Sequence, residues 1–103
     1  IGGSQESAPQ AQWDWSDKDS ADDVILAHGG GDTVNEPSQI TVKDSNTKNT
    51  AHNTQLSTGP GTWTSGSSIT LDADLSTSGT MTLVWESSDG STSNEISTHE
   101  YSV

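Results

Sequence analysis

The stretch from Thr80 to Ser91, TMTLVWESSDGS, decides the fold class. Every second residue of its first half is apolar, which is typical of a β-strand with one buried face. These apolar residues are Met81, Leu83 and Trp85. The Asp-Gly pair at 89–90 comes next, and between two alternating runs it predicts a two-residue hairpin turn. The stretch therefore predicts a strand over 80–87 that turns back into an antiparallel partner.

The register of this hairpin places Leu83 opposite Ile96. The same register places Tyr101 and Val103 on the opposite face of the returning strand. A bulge near Thr98–His99 or a longer loop would bring these two residues back to the buried face. The sequence leaves both solutions open.

Further alternating runs predict strands on the N-terminal side of the hairpin. They cover residues 68–75, 39–43, 23–28 and 11–16, and Gln55–Ser57 is predicted as a short edge strand. Their inward residues are Ile69, Leu71, Ala73 and Leu75, then Ile40 and Val42, then Val24, Leu26 and His28, and finally Ala11, Trp13 and Trp15, with Leu56 on the edge strand.

No segment has helical periodicity, and short strands recur at regular spacing. We therefore predict an all-β, immunoglobulin-like antiparallel two-sheet sandwich of about six to eight short strands. Trp63, isolated in a loop, is expected to cover the open end of the core. The residues predicted to be buried together are Trp15, Leu26, Ile40, Leu71, Leu83 and Trp85.

Residues 1–10 have no periodicity and are predicted to be a linker, so the sandwich domain spans 11–103. The run Gly29-Gly30-Gly31-Asp32 is expected to end the second strand, and the polar residues 44–53 are expected to form turns.

The charge of the chain excludes several classes of partner. It has 103 residues, with 15 acidic residues, three lysines, no arginine and a net charge of −12. Nucleic acids and anionic membranes both require a basic surface, so neither is an expected partner. Without cysteine the chain has no disulfide and no zinc–thiolate site.

The acidic composition also predicts an environment. Aspartate exceeds glutamate by ten to five, and serine and threonine together number 32. A net charge of −12 would destabilise a compact state in dilute buffer through self-repulsion. At about 1 M salt the screening length falls to roughly 3 Å and this repulsion largely vanishes. We interpret the chain as the product of a halophile.

The Asp17, Asp19, Asp22 and Asp23 cluster could bind calcium, since calcium prefers carboxylate oxygens. The segment lacks the glycine and the closing bidentate glutamate of a twelve-residue calcium loop, so a solvated acidic loop is the favoured interpretation. His28, His52 and His99 lack the spacing of a metal site. We expect His28 to cap the glycine turn that comes after it.

Catalytic chemistry is not predicted. No nucleophile elbow or phosphate-binding loop is present, so we expect no enzyme, no cofactor and no metal. Asp72 and Asp74 are expected on the outward face of a strand. Trp13, Trp15, Trp63 and Trp85 could stack on sugars, but three of them are in phase with buried faces, which favours core packing.

The order of these motifs resembles the globular domain of haloarchaeal type IV pilins, from about Ala8 to Tyr101. His28, Gly30, Gly31 and Asp32 match the family's His-x-Gly-Gly-Asp step, and Trp85, Ser87, Asp89 and Gly90 match its terminal hairpin. Ala8–Ala11, Trp13–Trp15, Val24–Val34, Gly61–Trp63, Ser67–Leu71 and Ser88–Ser93 carry the rest of the resemblance.

The resemblance implies the outward-facing structural domain of an archaeal type IV pilus, an extracellular cell-surface filament involved in adhesion. Family members assemble with other pilin subunits through an N-terminal apolar helix, which is absent here, and Ile1-Gly2-Gly3 resembles the residues directly after that helix. The isolated domain is therefore expected to be a monomer. The alternative is a secreted halophilic immunoglobulin-like module that recognises sugar or calcium.

Overall fold

The computed structural model describes residues 7–18, 23–46, 53–59, 61–72 and 78–102, with Asp72 described by its backbone alone. Strand is the dominant structure of these residues, which contain no α-helix. Two short 3-10 helices are also present, Pro37–Gln39 and Leu56–Thr58. The strands are β1 (Ala11–Lys18), β2 (Asp23–Gly31), β3 (Ile40–Asp44), β4 (Asn53–Gln55), β5 (Ser68–Asp72), β6 (Ser78–Glu86) and β7 (Ser93–Ser102).

The strands form two antiparallel sheets. One has the order β1-β2-β5 and the other the order β4-β3-β6-β7. In immunoglobulin terms these are strands A, B and E facing strands C′, C, F and G. The predicted all-β sandwich is therefore confirmed.

The period-2 faces predicted from the sequence point into the space between the sheets. Met81, Leu83 and Trp85 are buried in β6, and Trp63 is fully buried in its loop, where its backbone forms a bridge with Val34. The buried apolar side chains of the described residues are Val24, Leu26, Val34, Ile40, Val42, Leu56, Trp63, Leu71, Met81, Leu83, Trp85 and Tyr101. The predicted positions Ala73 and Leu75 lie outside the described residues.

The glycine run does not end β2, contrary to the prediction. The strand continues to Gly31, because a bulge opposite Gln12 and Trp13 accommodates Gly29 as an extra residue. Gly30 and Gly31 have φ angles of 139° and 97°, which glycine adopts at little cost. The glycines therefore bend the strand without breaking it.

The predicted edge strand around Leu56 is also displaced. The strand is Asn53–Gln55, and Leu56 begins a 3-10 helix in which its side chain is fully buried. Turning the chain at this point lets Leu56 enter the core, where its carbonyl accepts a hydrogen bond from Trp63 Nε1 at 3.2 Å. Similarly, the strand predicted at 39–43 is β3, one residue further along.

The β6–β7 hairpin has the predicted register near its turn but a wider loop. Ser87 N–H donates to the Thr92 carbonyl, which closes a four-residue loop, Ser88–Ser91, in place of the two-residue turn. The Asp89 carboxylate accepts hydrogen bonds from Ser87 and Ser91, and these bonds stabilise the wider loop.

A bulge in β7 explains how Tyr101 faces the core, although the predicted hairpin register places it on the opposite face. It lies at Ile96, not near Thr98–His99, because Val84 pairs with Glu95 while Leu83 pairs with Ser97. The prediction that Leu83 lies opposite Ile96 is therefore wrong. The shift turns Tyr101 into the core, where it is 2% exposed. Val103 lies outside the described residues.

Candidate functional site

The four tryptophans differ in how far they are buried. Trp63 and Trp85 are buried, whereas Trp13 and Trp15 are half-buried. Both half-buried rings belong to β1, an edge strand, so their outer sides have no neighbouring strand to cover them. The prediction that Trp15 is buried together with the other core residues is therefore wrong, because it is only half-buried, although its ring packs against the core.

Trp15 belongs to a polar contact between the sheets, which we call the β1–β7 seam. The seam comprises Trp15, Asp17, Ser97, His99 and Ser102. Trp15 Nε1 donates to Ser97 Oγ at 2.9 Å, and the indole ring stacks on His99 with centroids 5.3 Å apart. One Asp17 carboxylate oxygen lies 2.6 Å from His99 Nε2, and the other accepts the Ser102 N–H at 3.1 Å.

One of the four aspartates considered as calcium ligands, Asp17, belongs to the β1–β7 seam. Asp17 is committed to β7, and Asp23 is the first residue of β2. Asp19 and Asp22 lie outside the described residues, as does Asp74. Within the described ranges, no three His, Asp or Glu side chains come close enough together to hold a metal ion.

His28 caps the glycine step, as predicted. Its side chain is 2% exposed; Nδ1 accepts the Gly30 N–H at 3.1 Å, and Nε2 lies 2.8 Å from the Asp32 carbonyl. A backbone N–H can only donate, so Nδ1 is the unprotonated nitrogen and Nε2 carries the hydrogen. The hydrogen bonds therefore require a neutral imidazole. His52 lies outside the described residues.

Asp32 also contacts the segment before β1. Gln10 N–H donates to Asp32 Oδ2 at 2.9 Å, and Asp32 N–H donates to the Gln10 carbonyl at 2.9 Å. We call the set His28, Gly30, Asp32 and Gln10 the N-terminal latch. Within the predicted linker, residues 7–10 are described, and Ala8 packs against the core.

A groove of about 470 Å³ lies beside the latch. Residues 7–9 form one wall, and the chain from Asp32 to Glu36 forms the other, with Trp85 among the lining residues. The groove is open to solvent, and its walls are mostly polar. Because residues 7–9 form one wall of the groove, the N-terminal segment is part of the surface at this end of the domain.

A buried carboxylate was not anticipated from the sequence. Asp44, at the end of β3, is 7% exposed, and both of its oxygens accept the Tyr101 hydroxyl, at 2.9 and 2.8 Å. Asn46 N–H also donates to it at 2.9 Å. From the sequence, residue 44 is predicted to begin a polar turn. The spacing of Asp44, in phase with Ile40 and Val42, is the signal that indicates an inward-facing side chain.

The loop between β6 and β7 contains the one strongly shifted carboxyl group among the described residues. Hydrogen bonds from the Ser91 N–H and from the Ser87 and Ser91 hydroxyls lower the pKa of Asp89 from 3.8 to about 2. These donors stabilise the ionised form. They also stabilise the conformation of the loop, because one carboxylate accepts hydrogen bonds from Ser87 on one side of it and from Ser91 on the other.

No protein-family model matches the chain, and no curated protein matches its sequence. In the part of the chain that the structure describes, no helix has the length and apolar character needed to cross a membrane. The function is therefore argued from the residues and the fold.

Proposed function

We propose that this chain is the outward-facing globular domain of an archaeal type IV pilus subunit, a structural protein of an extracellular filament involved in adhesion. The motifs that resemble the pilin family are the first support. The fold adds a second, because a β-sandwich whose described apolar side chains are buried or half-buried is suited to displaying a polar surface.

The observation that carries the proposal is the fixed course of residues 8–10. Ala8 packs against the core, and Gln10 is held at both its N–H and its carbonyl by Asp32. A domain that is carried on a filament core must leave that core in a defined direction. A flexible N-terminal connection would not set this direction, whereas the N-terminal latch does.

The surface charge supports assembly through a segment other than the sandwich itself. With a net charge of −12, the outer faces of two copies repel each other. An apolar helix preceding the domain would supply the area that subunit association needs. We therefore propose that other pilin subunits are the partners and that they associate through such a helix.

Electron microscopy and light scattering on two proteins test this proposal. The gene product as the cell makes it should form filaments with the sandwich on the outside, while residues 1–103 alone should stay monomeric. Contacts between isolated domains in a crystal should bury less than about 800 Å² in total. Ordered filaments built by residues 1–103 alone would contradict the proposed mode of assembly.

The half-buried tryptophans favour one second candidate, a secreted halophilic module that binds sugars. Trp13 and Trp15 lie along the same edge strand, and indole rings stack on sugar faces. Titration with soluble sugars, followed by tryptophan fluorescence, tests this function. Saturable binding that is lost in Trp13→Ala and retained in a Thr70→Ala control would favour the binding module over the filament subunit.

A further inference from the structure

We propose that the Asp89–Gly90 step is a self-modification site: it isomerises to isoaspartate through a cyclic imide when the β6–β7 loop opens, and the closed loop prevents this reaction. The inference concerns the chemistry of the chain itself and holds whether or not the protein builds filaments. It rests on the hydrogen bonds that engage both reacting groups, the Asp89 carboxylate and the Gly90 N–H.

The sequence distinguishes this step from every other aspartate of the chain. Of the ten aspartates, Asp89 alone is followed by glycine, and no asparagine is followed by glycine. Glycine has no side chain to hinder attack by its own nitrogen, and its backbone adopts conformations that other residues resist. Imide formation should therefore be fastest at Asp89 once the loop is open.

The reaction needs no partner other than water. The Gly90 nitrogen attacks the side-chain carbon Cγ of Asp89, so a C–N bond forms and the carboxyl hydroxyl leaves as water with the amide proton. Water then adds to the five-membered imide and reopens it. Opening at the main-chain carbonyl directs the backbone through the former side chain and leaves a carboxylate on Cα, with no change in oxidation state.

The closed loop engages both reacting groups in other bonds. The Gly90 N–H donates to the Ser87 carbonyl at 2.9 Å, and the nitrogen must lose this bond before it can attack. Asp89 Oδ1 accepts the Ser91 N–H at 2.9 Å and the Ser87 and Ser91 hydroxyls at 2.8 Å each. These bonds orient the carboxylate toward Ser91, so Cγ must also turn before it meets the Gly90 nitrogen.

The same donors favour the unreactive form of the carboxyl group. The Ser91 N–H, with the Ser87 and Ser91 hydroxyls, lowers the pKa of Asp89 from 3.8 to about 2. Departure of the hydroxyl as water requires the neutral carboxyl group, because a carboxylate oxygen without a proton is a very poor leaving group. The reactive form is therefore rarer in the closed loop than in an open one.

Isomerisation also changes the loop that it starts from. The Ser87 N–H and the Thr92 carbonyl close a loop of four residues, and isoaspartate adds one carbon to its backbone. The carboxylate then lies one carbon nearer to the main chain, away from the place where it accepts the Ser87 and Ser91 donors. Isoaspartate should therefore accumulate as a lasting mark on molecules whose loop has opened.

Incubation of residues 1–103 beside a peptide of residues 84–95, in the same neutral molar-salt buffer, tests the proposal. The peptide contains the reacting step but lacks the sheet, and a hairpin on its own is marginally stable at best. Circular dichroism confirms the strand structure of the domain at the start. Cleavage after Glu86 and Glu95 then releases residues 87–95 from both samples, and mass spectrometry distinguishes isoaspartate from aspartate.

The peptide should isomerise about tenfold faster or more than the folded domain, because the reaction in the domain waits for local opening. Urea sufficient to unfold the domain should raise its rate to that of the peptide. Two results would overturn the proposal: a peptide that forms no isoaspartate at residue 89, or equal rates in the peptide and the folded domain.

A pair of serine variants identifies the bonds responsible. Ser91→Ala removes one hydroxyl donor of Asp89, so the folded variant should isomerise severalfold faster than wild type. Its rate is divided by that of a peptide with the same change, which removes any intrinsic effect of residue 91. Ser68→Ala, on β5 in the other sheet, is the control and should keep the wild-type rate. Equal corrected rates in the two variants would contradict control by the hydrogen bonds of Asp89.

Discussion

Strand β7 contacts a carboxylate at two places, one in the core and one in the β1–β7 seam. The two contacts differ in their exposure to solvent. Tyr101 donates to Asp44 in the core, where their side chains are 2% and 7% exposed. Two residues away on the same face, His99 meets Asp17 with side chains 23% and 27% exposed. Solvent access, more than the type of partner, distinguishes the two contacts.

Solvent access also determines how each region should respond to change. A buried carboxylate that loses its donor keeps its desolvation cost, whereas an exposed pair can exchange its partner for water. The interior should therefore be sensitive to the loss of single atoms or rings. The seam should be sensitive to salt instead.

The largest effect is expected in the interior from Trp85→Ala. Trp85 is 2% exposed in the core, so its removal should cost about 3–5 kcal/mol of unfolding free energy. The matched variant Trp15→Ala removes a half-buried ring of the seam and should cost about 2 kcal/mol. Urea titrations in molar salt measure both values, and a larger cost for Trp15→Ala would reverse the comparison.

Tyr101→Phe should have the next largest effect. It removes only a hydroxyl, but Asp44 then remains buried without the donor that both of its oxygens use, at a cost of about 1–3 kcal/mol. A double-mutant cycle with Asp44→Asn isolates the coupling between the two side chains. A coupling near zero would mean that another donor satisfies Asp44 when Tyr101 is removed.

The equivalent cycle across the seam should give a smaller coupling. His99→Gln and Asp17→Asn should couple by about 0.2–1 kcal/mol, and the value should fall as salt is added. Thermal melts in a low-salt and a high-salt buffer provide the measurement. A salt-independent coupling as strong as that of Tyr101 and Asp44 would show that the seam behaves as interior.

The smallest effect is expected at the Asp89 loop, which is exposed and belongs to neither region. Because folding lowers the pKa of Asp89 to about 2, its contribution is fully present above pH 3.8 and is lost as the pH falls through about 2. Wild type should therefore melt slightly higher than Asp89→Asn at neutral pH, and this difference should shrink below pH 3.8 and disappear below pH 2. A difference that stays constant over this range would contradict the stabilising role of the ionised carboxylate.

The sequence allowed the strands and most of the core to be predicted, because alternation is a local property. Val24, Leu26, Met81, Leu83 and Trp85 all take their predicted inward positions. The errors arose where contacts between distant residues decide the outcome. The bulges at Gly29 and Ile96 depend on the partner strand, and no local pattern specifies them.

The same reason explains why parts of the candidate site were missed. The cap by His28 was predictable from its position before three glycines, but its link to Gln10 joins residues far apart in the chain. The seam between Asp17 and His99 spans nearly the whole sequence. The half-buried state of Trp15 results from the edge position of β1, which strand order determines.

Both regions belong to a domain whose surface charge opposes its folding. A salt series followed by circular dichroism tests this opposition most directly, with melts in chloride from about 0.1 to 2 M and sulfate as the control for general salting-out. The melting temperature should rise steeply at the low end of the chloride series, where screening removes the repulsion of a −12 domain. A melting temperature that stays flat across the series, beyond the effect of salting-out, would contradict a folding penalty from the surface charge.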